Sequence, residues 1–244
     1  MNITLRINNK DYSLESRPEE NLLSVLRRLG FLGAKSGGCV KGECGACTVL
    51  MDGKPINTCM LFALQAQGHE IVTIEKLGQH PKQGWKETDG FDILQQAFIE
   101  SGSVQCGYCT PAMILAAKAL LDKNPDPSEA EVREALSGVL CRCTAYVKPI
   151  QAVLSAAEKI RNGIATSGYL VDDEISKHEP QIVLLDEREA TDTIGKSELK
   201  VDAVKLVQGK PAFTADWQLP GMLYAKVLAS PYAHANIKSI DASK

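Results

Sequence analysis

Residues 39–59, CVKGECGACTVLMDGKPINTC, bring three cysteines into nine positions and add a fourth at Cys59. Glycines at 42 and 45 lie between these cysteines, and two more precede them at 37 and 38. Glycine tolerates positive φ and has no Cβ, so such a chain can fold tightly and direct backbone N–H groups at a bound anion. The stretch therefore predicts a loop that wraps a group held by several thiolates.

The spacing of this first thiol group, Cys39-x4-Cys44-x2-Cys47 followed by Cys59, is that of a plant-type 2Fe–2S site. Two irons bridged by two sulfides need four thiolate ligands, two on each iron, and one looping segment can supply them. Backbone N–H groups aimed at sulfur would stabilise the reduced cluster and raise its potential. A closed zinc site is the alternative, although structural zinc more often pairs two C-x2–4-C segments.

A second thiol group consists of Cys106-x2-Cys109 and Cys141-x-Cys143. This spacing leaves both zinc and a second iron–sulfur cluster open. The C-x-C pair is too close for comfortable chelation of one zinc ion by both thiols, which favours a cluster.

The eight cysteines could also form a disulfide framework, because their number is even. The amino terminus, MNITLRINNKDYSL, lacks the apolar segment of a signal peptide, so reduced thiols and a cytoplasmic location are expected. No apolar run is long enough to insert into a membrane. A net charge of −3 gives no electrostatic footprint for nucleic acid.

Apolar periodicity and turn residues predict an α+β domain over residues 1–77, with hairpins, one helix and a closing strand. The predicted elements are a hairpin turning at Asn8-Asn9, a helix over 19–30 ending at Gly30, a hairpin turning at Asp52-Gly53, and a strand over 70–77.

After a glycine-rich and proline-containing linker over 78–90, residues 88–162 predict a four-helix bundle. Thr110 and Pro111 are expected to be the N-cap and the first residue of one helix, and Ser128 with Glu131 is expected to form a capping box for the next. The rest reads as a connector over 163–194 and an incomplete α/β segment over 195–244, whose predicted strands are 201–209, 222–230 and 235–244.

Three motifs in this order resemble the iron–sulfur portion of the molybdenum hydroxylases, the xanthine dehydrogenase and aldehyde oxidoreductase family. They are GAKSGGCVKGECGACTV at 33–49, QCGYCTPAMI at 105–114 and LCRCTAY at 140–146. The resemblance covers about residues 1–162 and implies a plant-ferredoxin-like β-grasp domain followed by a four-helix domain, each holding one 2Fe–2S cluster. It assigns the first thiol group (Cys39, Cys44, Cys47 and Cys59) to an outer cluster and the second (Cys106, Cys109, Cys141 and Cys143) to an inner cluster.

The same resemblance implies that Gln105 approaches the dithiolene of a molybdopterin and that Cys143 lies against the pterin amine. Otherwise Gln105 is expected to be a helix-end residue that bonds to the backbone. Residues 186–244 resemble the start of the molybdopterin-binding portion, an α/β hammerhead-like domain at 195–244. This arrangement is similar to flavin-free aldehyde oxidoreductases, and a separate flavin subunit is also compatible.

The implied function is electron transfer from a molybdopterin centre, in the plain or the cytosine dinucleotide form, through two clusters to an external acceptor. The substrate would be an aldehyde, a purine or another N-heterocycle, and the catalytic molybdenum site would belong to a partner chain or domain. A free-standing two-cluster ferredoxin and a zinc-stabilised interaction module are the alternatives. Four positions beside the cysteines depart from the family pattern: Tyr108, Ala112, Val139 and Ala145.

Overall fold

The computed structural model describes residues 1–78, 90–163, 198–217, 219–223 and 225–241. It combines one small sheet with several helices, which confirms the predicted α+β class. The predicted linker over 78–90 and the connector over 163–194 lie almost entirely outside the described residues. Within the described residues, no helix is long and apolar enough to cross a membrane.

Two hairpins and a short closing strand form a five-stranded sheet in the order β2-β1-β5-β3-β4. Its strands are β1 (Asn2–Ile7), β2 (Lys10–Glu15), β3 (Thr48–Met51), β4 (Lys54–Asn57) and β5 (Glu70–Val72). β1 and β5 are parallel, and the other neighbouring strands are antiparallel.

Both predicted hairpin turns are confirmed. Asn8 and Asn9 have φ values of 52° and 65°, and Asp52 and Gly53 have 50° and 76°. Positive φ at both central residues gives the turn twist that matches antiparallel strands, and Asn, Asp and Gly are the residues that adopt it. The strand predicted over 70–77 is shorter than expected, because the chain turns into a 3-10 helix at Ile74–Lys76.

The first helix, α1 (Leu22–Arg28), packs against one face of this sheet. The side chain of Asn21 caps it by accepting from the Ser24 N–H at 2.9 Å. Leu22, Val25 and Leu26 are fully buried, and inward-facing residues of β1 share their core. As predicted, the helix ends before Gly30, which has a φ of 91°.

Four further helices follow: α2 (Ile93–Glu100), α3 (Thr110–Lys123), α4 (Glu129–Leu136) and α5 (Val147–Arg161). The Ser128–Glu131 capping box at the start of α4 is confirmed. The expected cap of α3 is wrong by one residue, because Cys109 is the N-cap and Thr110 already belongs to the helix. α3 carries much of the core of these helices, with Met113, Ile114 and Leu115 buried.

The chain segment 198–217, called the strap below, packs into the core of these helices. The strand predicted over 201–209 is wrong: Ala203–Val207 forms a short helix, α6, whose apolar side chains are buried. The buried Gln95 side chain donates to the Val207 carbonyl oxygen at 3.0 Å. The strands predicted over 222–230 and 235–244 are absent from the described residues of those stretches.

A buried charge cluster ties the strap to the sheet domain. The Asp216 carboxylate accepts from Arg27 at 3.0 Å and from Lys35 at 3.3 Å. The backbone N–H groups of Ala212 and Phe213 also donate to it, each at 3.2 Å. Burial lowers the pKa of Lys35, and the adjacent Asp216 charge opposes that shift. The strap thus contacts both halves of the described chain.

Candidate metal centres

The first thiol group lies on the loop between α1 and β3 and on the 3-10 turn Thr58–Met60. Cys47 and Cys59 are buried, while Cys39 and Cys44 are half-buried. The Thr58 hydroxyl donates to the Cys47 carbonyl oxygen at 2.8 Å. This bond holds the two buried cysteines in a fixed relation.

The Cys39 sulfur receives backbone hydrogen bonds, as the glycine-rich loop predicts. The N–H groups of Lys41, Glu43 and Cys44 each lie 3.3 Å from the Cys39 Sγ. The bonds from Lys41 and Cys44 contribute most to lowering the pKa of the Cys39 thiol to about 7. The loop is therefore built to stabilise negative charge on sulfur.

The thiols of this group are arranged as two pairs. Cys39 and Cys44 are within hydrogen-bonding reach of each other, and so are Cys47 and Cys59. Burial raises the pKa of the Cys47 thiol to about 11. Two pairs are what a two-iron cluster requires, because each iron takes two thiolates.

The second thiol group lies among the helix ends. Cys106 and Cys109 precede α3, and Cys141 and Cys143 lie on the connection between α4 and α5. Cys106 pairs with Cys143, and Cys109 pairs with Cys141. Burial raises the pKa of Cys106 and Cys109, and the Cys106 backbone N–H lowers that of Cys143. The same two-plus-two arrangement therefore recurs.

The α4–α5 connection is shaped by Tyr146, which sequence reasoning missed. Its hydroxyl oxygen accepts from the Cys141 backbone N–H at 2.9 Å. Between them, Thr144 has a φ of 59° and donates its N–H to the Cys141 carbonyl oxygen at 3.2 Å. Through this turn, Cys141 comes close to Cys109 and Cys143 comes close to Cys106.

All eight cysteines are free thiols in this structure. Within the described ranges, no three His, Cys, Asp or Glu side chains converge closely enough to hold one metal ion. The two thiol pairs in each group suit a 2Fe–2S cluster, in which each of the two irons takes two thiolates.

A direct hydrogen bond joins the two thiol groups. The Leu140 backbone N–H, next to Cys141, donates to the Cys44 carbonyl oxygen at 2.9 Å. The backbones approach closely here, because a Cβ at Gly45 would lie 2.0 Å from the Gly138 carbonyl oxygen. Only glycine fits at position 45.

The strap covers part of the second thiol group. Leu206 lies against Gly107: a Cβ added to Gly107 would come within 2.6 Å of the Leu206 Cδ1 atom. Phe213 packs edge-on against Tyr108, with ring centroids 5.0 Å apart. These contacts could not be predicted from the sequence, because the partners are far apart along the chain.

The residues implied at a pterin lie at the exposed side of the second group. Gln105 is exposed, just before the helix α3 that opens after Cys109. Cys143 is half-buried beside the exposed Cys106. Of the departures from the family pattern, Ala112, Val139 and Ala145 are buried.

Comparison with known families gives the class of the protein. Residues 5–70 match the 2Fe-2S iron-sulfur cluster binding domain, and residues 73–154 match the 2Fe-2S binding domain. The chain thus contains two domains of iron–sulfur type, one for each thiol group.

Individual relatives narrow the class further. The nicotinate dehydrogenase small FeS subunit of Eubacterium barkeri is 47% identical over 160 residues, covering 66% of this chain and 97% of that subunit. The aldehyde oxidoreductase of Megalodesulfovibrio gigas is 35% identical over 248 residues, covering 98% of this chain and 25% of that protein. The solved aldehyde oxidoreductase from Desulfovibrio gigas matches with a TM-score of 0.69 at 33% identity, covering 88% of this chain and 22% of that one.

The chain belongs to the iron–sulfur portions of the molybdenum hydroxylases, the xanthine dehydrogenase and aldehyde oxidoreductase family. It corresponds in length to a small subunit plus a further segment. It spans only 22–25% of the two aldehyde oxidoreductases.

Proposed function

We propose that this chain carries electrons, one at a time, from a molybdopterin centre through the second thiol group to the first, and then to an external acceptor. The observation that carries this proposal is the hydrogen bond between Leu140 and Cys44, 2.9 Å long. It gives a short covalent and hydrogen-bonded route between the two candidate centres.

The proposed ligands are the eight cysteines, grouped as their thiols pair. The outer 2Fe–2S cluster would be held by Cys39, Cys44, Cys47 and Cys59, and the inner one by Cys106, Cys109, Cys141 and Cys143. Each cluster would accept and release one electron when bound. The protein's part is to supply thiolates, to direct backbone N–H groups at sulfur, and to exclude water through buried cysteines such as Cys47 and Cys141.

The finer fold assignment is part of the same proposal. The strand order β2-β1-β5-β3-β4, with parallel β1 and β5 at the centre, supports a ferredoxin-like β-grasp domain. The helices α2 to α5 support a four-helix 2Fe–2S-binding domain. We take the domain ranges as 1–77, 88–162, 163–194 and 195–244, the last being the start of a molybdopterin-binding domain.

The proposed partner is a molybdopterin-binding chain or domain on the exposed side of the second thiol group. Gln105 and Cys143 would face the pterin there, and the exposed apolar side chains of Leu140 and Val147 lie nearby in sequence. The catalytic molybdenum site and the substrate pocket would belong to the partner. The relatives' names include nicotinate, xanthine and aldehyde, which supports a substrate among aldehydes, purines and other N-heterocycles.

The first thiol group, on the loop between α1 and β3 and on the Thr58–Met60 turn, would serve an external acceptor or a flavin subunit. We place the assembly in the cytoplasm. A free-standing ferredoxin fits less well, because Leu223 is 92% exposed and Val227 is 89% exposed, and large exposed apolar side chains mark a surface that a partner covers.

Electron paramagnetic resonance of the dithionite-reduced protein, with iron and acid-labile sulfide measured on the same sample, tests the proposal. Two distinct S = 1/2 signals and four irons per chain are expected. Cys59→Ser should abolish one signal and Cys109→Ser the other, each leaving the remaining cluster. Zinc in place of iron in natively prepared protein would overturn the proposal, and a copurifying molybdenum protein would identify the partner.

A further inference from the structure

The α6 part of the strap lies directly on the turn between two thiols of the second group. A Cβ added to Gly107 would lie 2.6 to 2.8 Å from three atoms of the Leu206 side chain. Gly107 has a φ of 82° and separates Cys106 from Cys109 by sequence. This turn therefore cannot move outward while Leu206 is packed on it.

The other end of the strap is attached to the sheet domain by Arg27, whose side chain is 8% exposed. Its guanidinium group donates to the carbonyl oxygens of Leu32 at 3.4 Å and Ala34 at 3.0 Å, in the loop that follows α1. It also donates to the Ala215 carbonyl oxygen at 2.8 Å and to the Asp216 carboxylate at 3.0 Å. One buried cation thus joins the loop of the first thiol group to the strap.

Asp216 also shapes the strap itself. Its carboxylate accepts from the backbone N–H groups of Ala212 and Phe213, each at 3.2 Å. The Phe213 ring, placed by this turn, packs edge-on against Tyr108 with the ring centroids 5.0 Å apart. Lys35 lies 5.0 Å from the centre of the Phe213 ring and 3.3 Å from the Asp216 carboxylate. Loss of the Asp216 charge would therefore loosen both ends of this contact.

The strap is a single short segment, so its contacts with the two thiol loops are lost together when it opens. Proteins open locally in such cooperative units, and the population of the open state depends on the contacts that the unit makes. An iron can leave the second thiol group only when its thiolates separate from it, which requires the Cys106–Cys109 turn to move. Release is then proportional to the population of the open strap, provided that the strap opens and closes faster than iron leaves.

We propose that docking of the strap controls how firmly the second thiol group retains its cluster, and that the ion pairs of Asp216 keep the strap docked. This inference rests on the proposed function. Iron leaves through the open state: it passes to an acceptor of metal ions, the sulfides are released to solvent, and the thiolates take up protons. Retention at the first thiol group depends on the sheet domain instead, because Cys47 and Cys59 belong to the core of that domain.

Transfer of iron from the full chain to excess EDTA, without oxygen, tests this inference. Samples are reduced with dithionite at intervals, and the two electron paramagnetic resonance signals are compared, after assignment with Cys59→Ser and Cys109→Ser. Leu206→Ala removes the side chain that packs on Gly107 and should speed loss of the inner cluster at least about tenfold. The outer cluster should be lost at the rate of the parent chain.

Val132→Ala is the matched control for Leu206→Ala. Val132 is fully buried in the same core, on α4, which packs on α3 and α5. Its truncation weakens that core and leaves the Leu206 side chain in place. It should therefore speed loss of the inner cluster much less than Leu206→Ala does.

Trypsin measures opening of the strap directly and independently of any cluster. Lys205 is exposed, but the bond that follows it lies within α6 and leads to the buried Leu206. Asp216→Asn should speed cleavage after Lys205 at least about tenfold, and Glu129→Gln, which removes an exposed ion pair, should leave it unchanged. If circular dichroism shows Asp216→Asn to be unfolded, Phe213→Leu replaces it, since this variant keeps Asp216 and loses only the contact between the rings.

The possible results separate the two proposals. Equal acceleration of inner-cluster loss by Leu206→Ala and Val132→Ala, equal acceleration for both clusters, or no acceleration would overturn this inference and leave the proposed function standing. Unchanged cleavage after Lys205 in the folded Asp216 or Phe213 variant would overturn the role of the ion pairs. A parent chain without two iron–sulfur signals would overturn the proposed function, and this inference with it.

Discussion

The backbone N–H of Leu140 and the carbonyl oxygen of Cys44 form a 2.9 Å hydrogen bond between the helical part of the chain and the cysteine loop of the sheet domain. Leu140 precedes Cys141, so the bond joins residues at or next to one proposed ligand of each cluster. The relative position of the two centres is thereby set by backbone atoms, which side-chain substitutions cannot easily change.

The close approach at Gly45 should be sensitive to a single methyl group. Gly45→Ala would place a Cβ 2.0 Å from the Gly138 carbonyl oxygen and would force the loops apart. We expect a loss of stability well beyond 1 kcal/mol and slower electron exchange between the clusters. Thermal unfolding and freeze-quench reduction kinetics measure the two effects.

Gly53→Ala is the control for Gly45→Ala. Gly53 has a φ of 76°, close to the 67° of Gly45, but no atom lies within 4 Å of its added Cβ. Gly53→Ala should lower the free energy of unfolding only by the cost of placing a non-glycine residue at positive φ, about 1 kcal/mol. Equal losses in the two variants would contradict the packing explanation.

The ion pairs that Asp216 forms with Arg27 and Lys35 should contribute strongly to the stability of the fold. Asp216→Asn would remove the carboxylate that pairs with Arg27 and Lys35, whose side chains are only 8% and 2% exposed. We expect a loss of about 3–5 kcal/mol in the free energy of unfolding. Urea denaturation checks it, with Glu129→Gln as control, since the exposed Glu129–Arg133 pair is worth only about 0.3–0.5 kcal/mol.

Glu75 should make stability fall as pH rises. Burial raises the pKa of this carboxyl above its usual 4.5, although the Gly33 N–H donates to it at 2.7 Å. Between 4.5 and the raised pKa the native chain holds a proton that the unfolded chain has lost, so stability is lost as pH increases through that window. From pH 4.5 upward, the free energy of unfolding of the Glu75→Gln variant should rise relative to that of the parent chain, as measured by urea denaturation at a series of pH values. If the two chains showed the same pH dependence of stability, the Glu75 carboxyl would not be responsible.

The strap should contribute to the core in which it is buried. Leu206 is 4% exposed, so Leu206→Ala is expected to cost about 2–5 kcal/mol of the free energy of unfolding. Leu219, two residues beyond the strap and 64% exposed, provides the matched substitution and should cost less than about 0.5 kcal/mol. Similar losses for both would mean that the strap is not part of the cooperative unit.

The elements predicted best are those specified by local chemistry. The hairpins at Asn8-Asn9 and Asp52-Gly53 follow from residues that tolerate positive φ. The start of α4 follows from the Ser128–Glu131 capping box. The grouping of the cysteines was visible in their spacing, and the pairing of their thiols agrees with a two-iron geometry.

The strand prediction for residues 201–209 of the strap is wrong because this stretch favours both a strand and a helix. VDAVKLVQG contains three valines, which favour strands, yet Ala203, Val204 and Val207 also lie on one face of a helix. Packing against α2 and α3 favours the helix, and the residues of those two helices lie about 80 to 110 positions earlier in the sequence. The ion pair of Lys35 with Asp216, 181 residues apart, was equally out of reach of sequence patterns.

That separation also has a consequence for synthesis of the protein on the ribosome. Lys35 leaves the exit tunnel 181 residues before the carboxylate that will neutralise it, an interval of about 10 to 40 s at ordinary elongation rates. Until then Arg27 and Lys35 have no counter-charge from residue 216, and the strap cannot yet cover Gly107 and Tyr108. Nascent chains therefore pass through a stage in which all eight thiols have been made and the strap cannot yet pack over the second thiol group.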